Sequence, residues 1–347
     1  MSLPRAPFAG AVDSATPAAC TLTTQPLGRG KTRPLTHLET PMSFGFFLEQ
    51  MLNGLQLGVM LFLMAAGLTL IFGVMGLINL AHGSLFMVGA FLCAVVAQET
   101  GSFALGLAAA LAGAATVGAL VEVTVLRRLY DRDHLDQVLA TFALILIFSE
   151  GTRWLFGSRP LYLNVPDLLS GTIPLPHGGG YPVFRIAIIV VGCAIAAGLY
   201  WLIAKTRLGM QIRAGEADRE MVGALGVDIN KLYTAVFAIG AMLAGLAGAL
   251  IGALQSVEVG MGEPVLIMAF VVIVIGGIGS IKGALIGAVL VGVFDTFGRA
   301  FLPVAFAAFF PPAEAKAIGA ALASMIIYIL MAGVLVWRPQ GLFPADA

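Results

Sequence analysis

Charged residues are scarce in this sequence: they make up 11% of 347 residues, against about 25% in soluble domains. Apolar residues make up 59%, and the mean hydropathy is +0.97. A globular core cannot hide this surplus, because a soluble protein must still cover its surface with polar groups. The composition therefore predicts a protein that lies in a lipid bilayer.

Several kinds of functional site are also missing from the sequence. The formal net charge is zero, so no nucleic-acid partner is expected. The three cysteines fit no metal-binding spacing, and no His, Asp, Glu or Cys group has the spacing of a catalytic triad. Gly30-Lys31-Thr32 lacks the earlier glycine of a phosphate-binding loop. We expect no enzyme activity, no ATPase motif, no metal and no cofactor in this chain.

Apolar stretches recur along the chain, most of them at the length of a membrane-spanning helix, about 17–25 residues. Gly occurs 43 times, which favours close packing between such helices. The sequence predicts an all-α fold, a polytopic transmembrane helical bundle of eight or nine spans with short broken or re-entrant segments. The stretches cover residues 51–75, 83–98, 103–123, 138–156, 185–204, 232–254, 265–279, 284–302 and 317–336, of which 83–98 and 265–279 are the short ones.

The first residues of the chain differ from the rest. Residues 1–41 are polar, rich in Pro and Thr, and lack the apolar stretch of a signal peptide. We expect 1–41 to be a disordered tail or a mis-assigned start. One membrane domain is expected over 42–345.

Basic residues predict which ends of the spans face the cytoplasm. The loop 124–137 holds three of them and the loop 205–231 holds five, and two predicted spans separate these loops. Both loops therefore lie on one side, and the positive-inside rule makes that side cytoplasmic. Counting back through nine spans puts the N-terminus outside, which the basic residues of 1–41 oppose.

Polar side chains interrupt the apolar pattern near the start of the membrane domain. Such groups are costly inside a bilayer unless they are paired or face water. A helix broken near 76–83 beside a translocation path would account for them. Alternatively, Asn79 and His82 cap helix ends at the cytoplasmic boundary. The candidate substrate-path residues are Gln56, Thr69, Asn79 and His82.

The 205–231 loop is too polar to cross the membrane and too long for a simple turn. Within it, residues 216–225 suit one short amphipathic helix that ends at Gly226, with Ala217, Met221, Ala224 and Leu225 in one apolar stripe. An exposed apolar stripe favours docking to a partner groove, although packing on the bundle itself is an alternative. The candidate coupling residues are Glu216, Ala217, Met221, Gly223 and Leu225.

Carboxylates within the spans would suggest proton or sodium coupling. Glu122 and Glu150 lie near predicted span ends, and Asp295 lies in mid-span. Arg299 follows Asp295 by four residues, the spacing of neighbours on one helix face. This pattern favours a structural pair over a proton relay.

The segment 157–184 contains five prolines and three consecutive glycines, so it cannot form a membrane helix. We predict a periplasmic loop. It is either part of a docking surface or a plain connector.

Four motifs, in one order, resemble the LivH-like permeases of branched-chain amino acid ABC transporters. They are Ile-Asn-Leu-Ala-His-Gly at 78–83, Glu-Ala-Asp…Gly-Ala-Leu-Gly-Val at 216–227, Gly-Gly-Ile-Gly-Ser-Ile-Lys-Gly-Ala at 276–284, and Trp-Arg-Pro-Gln-Gly-Leu-Phe at 337–343. The similarity covers about 43–345, which is nearly the whole chain outside the tail. Many relatives carry an acid where Ser84 stands, so no role is transferred to that residue.

The resemblance implies a heteromeric importer in the bacterial cell inner membrane. Its other parts would be a second, LivM-like permease subunit, two ATP-binding cassette subunits and a periplasmic substrate-binding protein. The 205–231 loop would be the segment that couples to the ATPase. Branched-chain or similar hydrophobic amino acids are the expected substrates, with urea, short amides or aromatic acids as alternatives. An ion-coupled secondary transporter is the rival from another class.

Overall fold

The computed structural model describes residues 44–175 and 180–343, and within these residues the backbone is almost entirely helical. Apolar stretches form helices because a bilayer offers no water to hydrogen-bond exposed backbone groups. The described residues contain eleven α-helices: α1 (Phe44–Met75), α2 (His82–Thr100), α3 (Phe103–Thr124), α4 (His134–Phe156), α5 (Val183–Lys205), α6 (Arg207–Ala217), α7 (Arg219–Ala224), α8 (Ile229–Gly252), α9 (Gly262–Gly276), α10 (Ile281–Phe306) and α11 (Pro312–Trp337).

Eight of these helices are long and apolar enough to cross a membrane: α1 to α5, α8, α10 and α11. Helix α9 is apolar but has only 15 residues, fewer than the roughly 20 of a full crossing. The prediction of an all-α polytopic bundle of eight or nine spans is confirmed. The stretch predicted over 265–279 is indeed short.

Helices α1 and α8 form the centre of the bundle and are mostly buried. Helix α1 packs on α5, α8, α9 and α10, while α2 packs on α3, α8 and α9. Small residues make these crossings close. A Cβ atom built on Gly54 of α1 would lie 2.8 Å from the Cα of Val293 in α10. The glycine excess therefore serves helix packing, as the composition predicted.

Helices α3, α4, α5 and α11 lie at the periphery and expose much of their apolar surface. Leu146, Trp154 and Trp201 are examples of large, exposed apolar side chains on α4 and α5. A surface of this kind would aggregate in water, but it matches the solvent that a bilayer provides.

One end of the bundle, called here the basic end, collects the segments 125–133, 205–228, 277–280 and 338–343. Contacts tie these segments together at the end of α1. Tyr130 Oη lies 3.6 Å from Met75 Sδ, and the N–H of Leu342 donates to the carbonyl of Ile275 at 2.9 Å. The two basic loops of the sequence therefore do lie at the same end.

The opposite end is covered by the segment between α4 and α5. It contains a 3-10 turn at Asp167–Leu169 and a small antiparallel pair, β1 (Thr172–Pro174) with β2 (Gly180–Pro182). Leu161 and Val257 exchange two backbone hydrogen bonds of 3.0 and 2.8 Å, so this segment lies over the connection between α8 and α9. The predicted tail, 1–41, lies outside the described residues.

Candidate functional site

Six residues, 76–81, separate α1 from α2. Gly76 has a φ of +65°, a conformation that glycine adopts without strain, and it ends α1. The side-chain oxygen Oδ1 of Asn79 accepts a hydrogen bond of 3.0 Å from the N–H of Ala81. Asn79 is fully buried and turns the chain into α2. The helix break predicted near 76–83 is therefore present.

Helix α2 begins inside the bundle and not at its basic end. Its first residue, His82, is fully buried, and the ring lies against Gly67, where an added Cβ would be 3.0 Å from His82 Nε2. Gly67 stands eight residues before the end of α1 at Met75, which corresponds to about 12 Å of helix. Asn79 does cap a turn, as one alternative held. His82, however, is fully buried against Gly67 and not at the basic end of the bundle.

The start of α9 lies against the start of α2. A Cβ atom built on Gly83 would be 2.8 Å from the carbonyl oxygen of Gly262, and one on Gly262 would clash with the backbone of Gly83. Next to this contact, the N–H of Gly260 points to Met87 Sδ at 3.3 Å. Helix α9 is therefore a shortened helix that starts within the bundle and ends at the basic end.

Buried polar atoms without a hydrogen-bond partner lie near this meeting point. They include Asn79 Nδ2 and Thr69 Oγ1. Neither ring nitrogen of His82 makes a hydrogen bond of good geometry, although the backbone of Met64 lies near the ring. Unpaired polar groups in an apolar interior cost free energy, so their retention suggests a use.

The four predicted path residues do not form one group. Asn79 and His82 meet at the start of α2, and Thr69 lies at a similar depth on α1. Gln56 lies 13 residues before Thr69 on α1, about 20 Å nearer the opposite end. Its Nε2 points to Met60 Sδ at 3.3 Å. Thr69 also lines a cavity among the described residues.

That cavity, called here the basic-end cavity, has a volume of about 1100 Å³. It extends from the basic end along α1 as far as Thr69, and helices α5 and α6 form another part of its wall. Its charged lining residues are Arg213, Glu216, Lys282 and Arg338. The Lys282 ammonium lies 5.8 Å from the ring centroid of Tyr200. Sequence reasoning used basic residues only for orientation, since nothing in their spacing shows that three elements bring these three cations together.

The predicted coupling helix over 216–225 is wrong in its extent. The chain forms two helices instead, α6 and α7, because Asp218 interrupts the stripe. Its Oδ1 accepts hydrogen bonds from the N–H groups of Glu220 and Met221, at 3.0 and 2.9 Å, and so starts α7. Gly226 has a φ of +88° and follows the end of α7, as predicted.

The break divides the predicted coupling residues into two groups. Glu216 and Ala217 end α6 and line the basic-end cavity. Met221, Gly223 and Leu225 belong to the α7 turn and are exposed, with Met221 58% and Leu225 76% accessible. The apolar part of the stripe thus faces away from the bundle, within the described residues.

Glu216 links α6 to two other elements at the basic end. A Cβ atom built on Gly73 of α1 would lie 3.1 Å from Glu216 Oε1 and 3.7 Å from the Cα of Gly279 in the α9–α10 turn. The residue is exposed along one side, but desolvation of its carboxylate raises the pKa of Glu216. A movement of α6 would therefore change the shape of the cavity wall.

The carboxylates near the spans are paired. Glu122 is fully buried and accepts hydrogen bonds from Arg127, Tyr130 and Thr234, at 2.6 to 3.2 Å. Asp295 forms the predicted pair with Arg299 at 2.8 Å. These contacts are typical of structural pairs and give no support to a proton relay.

Comparison with known proteins agrees with this architecture. The family model described as the permease component of a branched-chain amino acid transport system matches residues 50–335. The chain is 28% identical over 310 residues to the branched-chain amino acid permease BraD of Pseudomonas aeruginosa, covering 85% of this chain and 95% of BraD. It is 27% identical over 311 residues to LivH of Escherichia coli K12, covering 86% and 97%.

The similarity extends to a permease named for another solute. The ribose import permease RbsC of Escherichia coli K12 is 28% identical over 259 residues, or 71% of this chain and 77% of RbsC. No solved structure matches the chain at a significant level.

Proposed function

This chain belongs to the family of branched-chain amino acid transport permeases, and from that premise we propose that it is one membrane subunit of an ATP-driven importer. It is a multi-pass protein of the inner membrane, like the LivH permeases. The proposed cargo is a branched-chain or similar hydrophobic amino acid, moved from periplasm to cytoplasm.

The proposal also includes the other parts of the importer. They are a second, LivM-like permease subunit, two ATP-binding cassette subunits and a periplasmic substrate-binding protein. The two ATP-binding subunits would bind at the basic end, on the cytoplasmic side that the positive-inside rule predicts.

The observation that carries the coupling proposal is the arrangement of α6 and α7. Helix α7 exposes Met221 and Leu225, while Glu216, at the end of α6, lies against α1 and lines the basic-end cavity. A partner that binds α7 and displaces it would therefore also displace α6, which forms part of the cavity wall. This supports the 205–231 loop as the coupling segment, split at Asp218.

The test is transport by the assembled complex. The tagged chain is purified from native membranes with its bound subunits, reconstituted in proteoliposomes with the periplasmic binding protein, and assayed for uptake of radiolabelled leucine. Uptake should require both ATP and the binding protein, and ribose should not compete. Uptake driven by a proton or sodium gradient, without ATP, would instead identify an ion-coupled transporter.

A further inference from the structure

The starts of two helices face each other inside the bundle. Each helix start carries a partial positive charge from its aligned peptide dipoles, equivalent to about half an elementary charge. Helix α2 starts at His82 and α9 starts at Gly262, and Gly83 and Gly262 are in backbone contact. Two like partial charges in a medium of low dielectric constant repel each other unless an anion lies nearby.

The described protein does not supply that anion at the contact. The first turn of α2 contains no acidic residue. The first turn of α9 contains Glu263, but this side chain is exposed, whereas Gly83 and Gly262 are buried. The carboxylate of Glu263 therefore points away from the contact between the two helix starts.

A second, independent observation points to a ligand at the same place. Asn79 is fully buried, and its Oδ1 accepts a hydrogen bond from the N–H of Ala81, the residue before α2. The other atom of that amide, Nδ2, has two N–H donors and no hydrogen-bond partner. An unused, buried donor at a helix start has the chemistry that binds a carboxylate.

The basic-end cavity reaches the same depth. Its deepest residue on α1 is Thr69, whereas Gly67, against which the His82 ring lies, is two positions earlier and faces another side of α1. The N–H groups of His82, Ser84 and Leu85 already donate to the carbonyls of Asn79 and Ala81, so the donor offered to an anion is Asn79 Nδ2.

We propose that the start of α2, with Asn79 Nδ2, is a subsite for the carboxylate group of the transported solute, and that α9 covers it. The inference rests on the proposed function and adds the group of the substrate that is recognised. In this structure Gly83 and Gly262 are in contact, so the subsite opens when the start of α9 moves away from α2. Half-helices whose starts bind anionic substrate groups are a general solution in transporters.

Two substitutions at one position test the subsite in the reconstituted complex. Asn79→Asp keeps an oxygen that can accept from Ala81, and it adds a negative charge. Asn79→Ser keeps a capping oxygen and a donor without a charge. Leucine uptake should fall by about tenfold or more in Asn79→Asp, because like charges repel, and should fall less in Asn79→Ser, which loses Nδ2 but adds no charge. The thermal unfolding temperatures of both should stay close to that of the wild type.

Two results would overturn the subsite. One is an Asn79→Asp complex that imports leucine at the wild-type rate. The other is a parallel loss of uptake and thermal stability in both variants, which a purely structural cap would produce. Wild-type uptake is measured in the same vesicles. If wild-type uptake needs no ATP, the proposed function fails, whatever the variants do.

A labelling experiment remains informative if Asn79→Asp does not assemble. Asn79→Cys is made in a variant whose three native cysteines are replaced by serine. An anionic methanethiosulfonate reagent should label Cys at this position only during ATP turnover, and leucine should slow the labelling. Absence of labelling during turnover would show that the position never opens to solute, against the proposal.

Discussion

Gly83 and Gly262 bring the starts of α2 and α9 into backbone contact inside the helical bundle. Helix α9 begins at this contact, and its 15 residues are fewer than the roughly 20 of a full crossing. The connection between α8 and α9 therefore returns into the bundle from the opposite end, where Val257 is hydrogen-bonded to Leu161. Irregular backbone at this depth is tolerated because protein covers it on both sides.

A methyl group at this contact should be destabilising. In Gly262→Ala the added Cβ would clash with the backbone of Gly83, which cannot rotate away as a side chain could. We expect a loss of about 1–3 kcal/mol in the free energy of unfolding, the usual cost of overpacking. Thermal unfolding of the detergent-purified protein measures it.

Gly198→Ala in α5 is the matched control. Nothing lies within 4 Å of a Cβ built on Gly198, so the same change should be neutral or stabilising by about 0.5–1 kcal/mol. Equal effects of the two substitutions would mean that the Gly83–Gly262 contact is not close.

The sequence predicted the helices well and the contacts between them poorly. Apolar stretches of about 20 residues gave the spans, because lipid imposes one backbone structure on them. The short stretch at 265–279 was also visible. Its contact with Gly83 was not, because hydrophobic periodicity describes the faces of one helix and holds no information about distant partners.

The candidate site shows the same limit. Polar residues in apolar stretches drew attention to Asn79 and His82, but Gln56 showed the same signal and lies about 20 Å from Thr69 along α1. Within the apolar stripe predicted over 216–225, the start of a second helix at Asp218 was not predicted. An aspartate is a strong N-cap, and this signal could have predicted the break.

Glu122 and Asp295 should not be needed for energy coupling. Asp295→Asn removes the charge that pairs with Arg299 but keeps the shape of the side chain. We expect ATP-driven uptake to continue at a similar rate, with an unchanged pH dependence. Uptake is measured between pH 6 and 8 in proteoliposomes. A strong loss, or a shifted pH profile, would favour the ion-coupled alternative.

Removing the buried carboxylate of Glu122 should affect stability instead. Glu122→Ala leaves Arg127, Tyr130 and Thr234 without their common acceptor. The expected loss is about 2 kcal/mol in the free energy of unfolding, typical of hydrogen bonds to a charged group. Thermal unfolding of Glu122→Ala should show this loss, whereas Glu122→Gln, which keeps one acceptor oxygen, should lose less.

The pH dependence of stability should report on Glu216. Its pKa is raised by desolvation, so the folded state binds this proton more tightly than the unfolded state does. Stability from this group is therefore lost as pH rises from the ordinary glutamate pKa, about 4.3, through the raised value. Relative to Glu216→Gln, the wild type should unfold at a lower temperature at pH 8 than at pH 4.5. A constant difference would mean that the carboxylate is solvated.

The apolar side chains of α7 should be needed for coupling and not for folding. Met221→Asp or Leu225→Asp adds a charge to an exposed position, so insertion and thermal stability should be retained. ATP hydrolysis by the complex should continue, but leucine uptake should fall at least about tenfold, because a charge in an apolar contact loses its hydration. Met210→Asp is the control, since Met210 is also 58% exposed but lies on α6. It should import leucine normally. Equal transport by Met221→Asp and Met210→Asp would remove α7 from the coupling contact.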